Sequence, residues 1–249
     1  MFSKDVTVDK ILRGKISIIQ LKKGFRYGFE AVFLASFVNG YLKKFKKKTI
    51  SLADVGSGVG TISLIIAYHN NKINITAIEN NDNYLQIANE NIVINNFKKK
   101  INVIHADIFN IDNHLINRFD IVVTNPPFYD GKQKKSENEL DNYAKRIINY
   151  ESWIENSLKL LKDKGIIFLI IPTGLLEKSL KILSKKTGSF KIFPIWPNQK
   201  KSSKRLILLA KKGGASPTEL MSGMRLLNNR GKITKKARTY SDNGIFTFL

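Results

Sequence analysis

A cluster of glycines between a short apolar run and a helical stretch constrains this chain more than any other feature. Ile50 to Val55 reads as a buried strand, Gly56-Ser57-Gly58-Val59-Gly60 as a tight turn, and residues 60–69 as a helix. Glycine lacks Cβ, so Gly56, Gly58 and Gly60 allow positive φ and let the backbone approach a bound molecule closely. The helix beyond presents unpaired N–H groups at its start. A strand passing through such a turn into a helix is the opening unit of an open α/β sheet, whose ligands sit at the carboxyl ends of the strands.

The turn departs from the dinucleotide fingerprint, because its third glycine comes one residue early. Asp54 directly before it would repel a pyrophosphate but suits an amine or a sulfonium. A second strand, residues 74–78, ends in Glu79, about 20 residues past the glycines, where an acid meets ribose hydroxyls. A third, residues 101–104, leads into His105-Ala106-Asp107. Asp107 either accepts from an amino group of a base or caps the following turn; His105 is read as structural. A fourth strand, residues 119–124, ends in Asn125-Pro126-Pro127-Phe128. Proline fixes φ and donates no hydrogen bond, leaving nearby carbonyls without local amide partners. The Asn125 amide oxygen beside such a carbonyl gives two acceptors suited to a planar amino group, and Phe128 can lie against the face of that plane.

In this order the motifs resemble a class I S-adenosylmethionine-dependent methyltransferase. The resemblance spans roughly residues 50 to 212. It implies a Rossmann-like α/β fold: a seven-stranded, mostly parallel sheet with helices on both faces and an antiparallel seventh strand. It implies that Asp54, Gly56 and Gly58 approach the methionine part of S-adenosylmethionine, that Glu79 holds its ribose and that Asp107 reads its adenine. Asn125, Pro126 and Phe128 are the implied catalytic residues, with Asn125 also near the cofactor; the tetrapeptide is similar to that of enzymes methylating the amino group of adenine, guanine or glutamine. The segment from Gln20 to Ala35 is similar to the one preceding the core in the tRNA1(Val) adenine-37 N6-methyltransferase family, with Glu30 where that family carries aspartate. The basic last strand and the tail also resemble that family. The implied activity is N6-methylation of an adenine in tRNA, at position 37 beside the anticodon. Phe128 stands where tyrosine is usual, which keeps an rRNA guanine-N2 methyltransferase as the alternative; a glutamine methyltransferase of a release factor shares the tetrapeptide but not the short N-terminal region.

Charge points to the same class of partner. The chain carries 42 Lys and Arg against 20 Asp and Glu, a net charge of +22, and its sequence pI is about 10.0. Such an imbalance favours a polyanion, although abundant Asn and Ile beside the Lys mark a compositional bias as well. Single basic runs are usually solvated surface, but Lys132, Lys134 and Lys135 lie within a few residues of the tetrapeptide. They are candidate phosphate contacts, with Arg26 as a further RNA-binding candidate. The absence of cysteine excludes disulfides, thiolate metal sites and a thiol nucleophile. A cytoplasmic monomer is expected, without membrane or metal partners. Residues 1–49 read as a lead-in strand and helix, 50–212 as the core and 213–249 as a tail of the same domain. Strands are also expected at 165–171, 190–195 and 204–211, helices at 82–96 and 151–162, and a mobile substrate loop at 130–145.

Overall fold

The computed structural model describes residues 5–24, 26–45, 49–127 and 150–247. Two strands, β1 (Val6–Ile11) and β2 (Ile16–Leu21), form an antiparallel hairpin, followed by helix α1 (Phe29–Leu42). The core then alternates: β3 (Ile50–Val55), α2 (Thr61–His69), β4 (Ile73–Glu79), α3 (Asp82–Ile94), β5 (Ile101–His105) and β6 (Phe119–Thr124). After the undescribed stretch come α4 (Tyr150–Lys159), β7 (Leu161–Pro172), α5 (Leu176–Leu183), β8 (Thr187–Trp196) and β9 (Arg205–Lys212). The tail contributes β10 (Glu219–Leu220), β11 (Met224–Arg225) and α6 (Lys235–Asn243).

Parallel strands covered on both faces read as continuous apolar runs, and β3 and β6 are buried along nearly their whole length. The sheet order is β10-β8-β9-β7-β6-β3-β4-β5, with β11 also on β8. β9 runs antiparallel to β7 and β8, as expected for the seventh core strand. Among the described residues the sheet is nine-stranded rather than seven-stranded, because the tail adds β10 and β11 in parallel to the β8 edge. One apolar cluster lies between the sheet and α1, α2 and α3; a second lies on the opposite face under α4 and α5. Phe246 inserts into the first cluster and stacks on Tyr240 at 4.0 Å, which pins the tail against α1.

The hairpin is tied to the core by amides on α3. Buried Asn91 accepts from the Ile19 N–H at 2.6 Å and donates to the carbonyls of Ile19 and Val59, each at 2.9 Å. One turn later Asn95 makes the equivalent pair with Ser17. Each amide acts as a peptide group would, satisfying β2 where no strand pairs it. Through Val59 the same contact reaches the glycine turn.

Candidate active site

Strand register assembles the candidate site. Val55 pairs with Ile78 on one side and with Thr124 on the other, so the glycine turn leaves the sheet between Glu79 and Asn125. The chain continues from β3 towards β4 but from β6 towards β7, making the gap between β3 and β6 the switch point of the sheet. Adjacent strands lie about 4.8 Å apart, and Gly56 and Asn125 leave the sheet from adjacent strand ends, each one residue past the Val55–Thr124 pair. Asn125 is half-buried and Pro126 buried. Phe128, Lys132, Lys134, Lys135 and the expected loop at 130–145 lie outside the described residues.

Gly56, Gly58 and Gly60 all have positive φ, at 69°, 55° and 86°. Glu79 holds the turn from below: one carboxylate oxygen accepts from the Gly58 N–H at 2.8 Å, the other from Asn80 and Asn81 at 3.0 and 2.9 Å. Burial raises the Glu79 pKa, and these backbone donors oppose the rise. A carboxylate offers about four acceptor sites; three are used here, which leaves room for a hydroxyl donor. Glu79 is thus a brace of the turn as well as a candidate ribose contact. Asp107 accepts from the Phe109 N–H at 2.9 Å and caps the short turn Ile108–Asn110, the second of the two roles open to it from sequence.

Asp54 divides its carboxyl between α2 and the glycine turn. The carboxyl is fully buried, and on the α2 side one oxygen accepts from the Ser63 N–H at 3.2 Å and hydroxyl at 2.7 Å. Burial pushes its pKa up from 3.8 to about 7. The other oxygen has no partner, and neither do the hydroxyls of Ser57 and Thr61. Among the described residues these are the buried side-chain polar atoms left unsatisfied, and all belong to residues 54–61. Buried polar groups are ordinarily paired, so an acceptor and two hydroxyls gathered at a glycine turn fit a zwitterionic amino-acid moiety such as that of S-adenosylmethionine.

The Asp54 shift has a measurable consequence. The native carboxyl keeps its proton up to about pH 7, whereas the unfolded one releases it near 3.8. Stability therefore falls as pH rises across that window and levels off above it. Asp54→Asn should melt progressively higher than the wild type between pH 4 and pH 7, with the difference flattening above. A difference independent of pH in scanning calorimetry would contradict a protonated buried Asp54.

Arg26 is committed to the hairpin. Its guanidinium donates to Asp9 at 2.7 Å, to the Leu21 carbonyl at 2.9 Å and to the Thr7 hydroxyl at 3.0 Å. The structure gives it a fastening role rather than a free cation to offer RNA. Glu30, at the start of α1, pairs with Arg205 at 3.2 Å. Arg205 opens β9 opposite Pro172 and Ile195, so this ion pair lies at the same strand-end edge as Asn125.

Sequence reasoning missed Trp153. Its indole N–H donates to the Thr124 hydroxyl at 3.1 Å, and that hydroxyl donates to the Val55 carbonyl at 2.9 Å. Its ring closes over Gly56, where a Cβ would stand 2.9 Å from two ring carbons, and meets Phe109 edge-on at 6.0 Å.

Among the described residues no helix is long and apolar enough to cross a membrane, and no group of three or more His, Cys, Asp or Glu could hold a metal ion. A tRNA1(Val) (adenine(37)-N6)-methyltransferase from Flavobacteriaceae bacterium (strain 3519-10) is 26% identical over 158 residues, 64% of this chain and 64% of that protein. The chain thus spans just under two thirds of that relative. One with the same description from Flavobacterium psychrophilum is 26% identical over 183 residues, 73% of this chain and 74% of its own. Among solved structures, a protein described as a predicted O-methyltransferase from Agrobacterium tumefaciens superimposes with a TM-score of 0.70 at 19% identity, covering 88% of this chain and 97% of that one. The TYW2 protein of M. jannaschii, crystallised with AdoMet, gives 0.57 at 14% identity, covering 85% and 87%. These likenesses establish the class I methyltransferase fold. A family model described as the methyltransferase small domain matches residues 39–193, and on that match, which takes in the glycine turn, both strand-end acids and Asn125, this chain belongs to the methyltransferase small domain family.

Proposed function

We propose that this chain is an S-adenosylmethionine-dependent N-methyltransferase acting on N6 of an adenine in tRNA, at position 37 beside the anticodon. The observation that carries the reading is the register that brings Asn125-Pro126 and the glycine turn out of adjacent strand ends at the switch point of the sheet. The relatives named as tRNA1(Val) (adenine(37)-N6)-methyltransferases support the substrate.

S-adenosylmethionine, when bound, supplies an electrophilic methyl group on a sulfonium. The difficulty lies with the other partner, because the lone pair of an exocyclic adenine amine is delocalised into the ring. The Asn125 side-chain oxygen and the Pro126 carbonyl would accept the two N–H bonds of that amine. Both bonds strengthen as positive charge grows on nitrogen, which is stabilisation by fixed dipoles specific to the transition state. Phe128 would stack on the base, a contact worth about 1–3 kcal/mol. Glu79 and the Gly58 N–H it holds would fix the donor's ribose and turn, so that methyl and amine meet in line. The ammonium formed is acidic enough to lose its proton to water without a dedicated base.

A polyanionic substrate also fits the outer part of this edge. Lys200, Lys201, Lys204, Arg225, Lys232, Lys235 and Lys236 are exposed there and pair with no acid among the described residues. Beside them a groove of about 540 Å³ is lined by Trp196, Asn198, Gln199, Arg225 and Lys236, at the carboxyl end of β8. Lys132, Lys134 and Lys135 would bring phosphate contacts closer to the reacting base. The enzyme is proposed to act as a cytoplasmic monomer.

Labelled S-adenosylmethionine, offered with separate pools of unmodified tRNA, rRNA and release factor, tests the assignment. Label is expected in the tRNA pool alone. Label confined to rRNA or to release factor would overturn the substrate.

A further inference from the structure

We infer that Trp153 is a positioning residue for methyl transfer: it keys the Asn125-Pro126 acceptors to the glycine turn through its hydrogen bond to Thr124. The inference rests on the role of Asn125 proposed above. One side chain touches three parts of the site. Its indole N–H reaches Thr124, the residue before Asn125. The Thr124 hydroxyl passes the connection to the carbonyl of Val55, the residue before Gly56. Its ring covers the Gly56 backbone so closely that no β-carbon fits between them, and its edge meets Phe109 in the turn that Asp107 caps.

The chain Trp153–Thr124–Val55 crosses the gap between β6 and β3, where the main-chain ladder ends and Asn125 and Gly56 leave the sheet. Beyond the last pair between β3 and β6, Val55 with Thr124, Gly56 is tied to β4 through the Ile78 carbonyl, and among the described residues no main-chain bond links it to Asn125. An in-line displacement is sensitive to the separation of the two exits, because a misplacement of about 1 Å costs on the order of 10²-fold in rate. Trp153 is 7% exposed and Thr124 fully buried, so water does not compete for the bond. Trp153 stands in the first turn of α4.

Thr124→Val keeps the branched shape and removes the oxygen; Trp153→Phe keeps an aromatic ring and removes the donor. Each variant is expected to lower kcat by roughly 10-fold to 10²-fold, with the Kd for S-adenosylmethionine by calorimetry and the KM for RNA both within about twofold. The double variant should lose little more than either single one, since both break the same link. Unchanged kcat in Thr124→Val would overturn the inference. So would independent, multiplying losses in the double variant, or weakened cofactor binding with kcat retained, either of which marks Trp153 as packing alone. Should Trp153→Phe fold poorly, Thr124→Val decides by the same criteria. The rates are measured on whichever pool the wild type labels: label outside tRNA counts against the proposed substrate, whereas wild-type kcat in Thr124→Val counts against the role of Trp153.

Discussion

Replacing Asn125 by Ala should lower methyl transfer by about 10²–10³, the range found when one preorganised hydrogen-bond partner of a developing charge is removed. Cofactor affinity should change little, because the glycine turn is held from the other side, by Glu79 on the Gly58 N–H and by the Ile78 carbonyl on the N–H groups of Gly56 and Ser57. The fold should also persist, since β6 is fixed by pairing with β3 and β7 up to Thr124 and Asn125 lies beyond that ladder. The loss should therefore appear in kcat, as expected for an interaction made only in the transition state. Asn125→Asp keeps an acceptor oxygen and should retain more activity than Asn125→Ala. Equal turnover by wild type and Asn125→Ala would remove Asn125 from catalysis.

The second large effect is expected at Gly58, and its value lies in the contrast with Gly56. A Cβ built on Gly58 meets nothing within 4 Å, whereas one built on Gly56 stands 2.9 Å from the Trp153 ring. Both residues have positive φ, which costs an L-residue roughly 1–2 kcal/mol. Gly58→Ala should thus fold with only that conformational penalty, while Gly56→Ala should lose further stability to overpacking. The space in front of Gly58 is where the proposed cofactor would approach. Overpacking against a ligand costs about 1–3 kcal/mol, so Gly58→Ala should weaken S-adenosylmethionine binding by roughly 5-fold to 150-fold. Thermal melts and calorimetric titration of both variants separate the two effects. Wild-type cofactor affinity in Gly58→Ala would place the ligand elsewhere.

The parts of this molecule legible in its sequence are those set by local pattern. Strands β3 and β6 occupy the residues expected of them, because a strand buried on both faces needs an uninterrupted apolar run and a turn to end it. The register that joins Gly56, Glu79 and Asn125 follows from the order of such strands once the fold is recognised. β1 was not legible: Val6–Ile11 contains Asp9 and Lys10 and has no fully buried residue, only half-buried and exposed ones, so it reads as a polar lead-in. Asp9 there serves Arg26, a pairing 17 residues apart that no local pattern announces. The direction of Asp54 was equally hidden, since it depends on Ser63 arriving nine residues later on α2. Trp153 meets Thr124 across 29 residues, and only the folded sheet brings it against the glycines.

The central claim is that the two acceptors at the end of β6 present an adenine amine to the methyl donor. It is tested most directly by digesting tRNA methylated by the purified protein to nucleosides and identifying the product by mass spectrometry. N6-methyladenosine, formed about 10²–10³ times more slowly by Asn125→Ala, is the predicted result. N2-methylguanosine, or a methylated ring nitrogen, would contradict it.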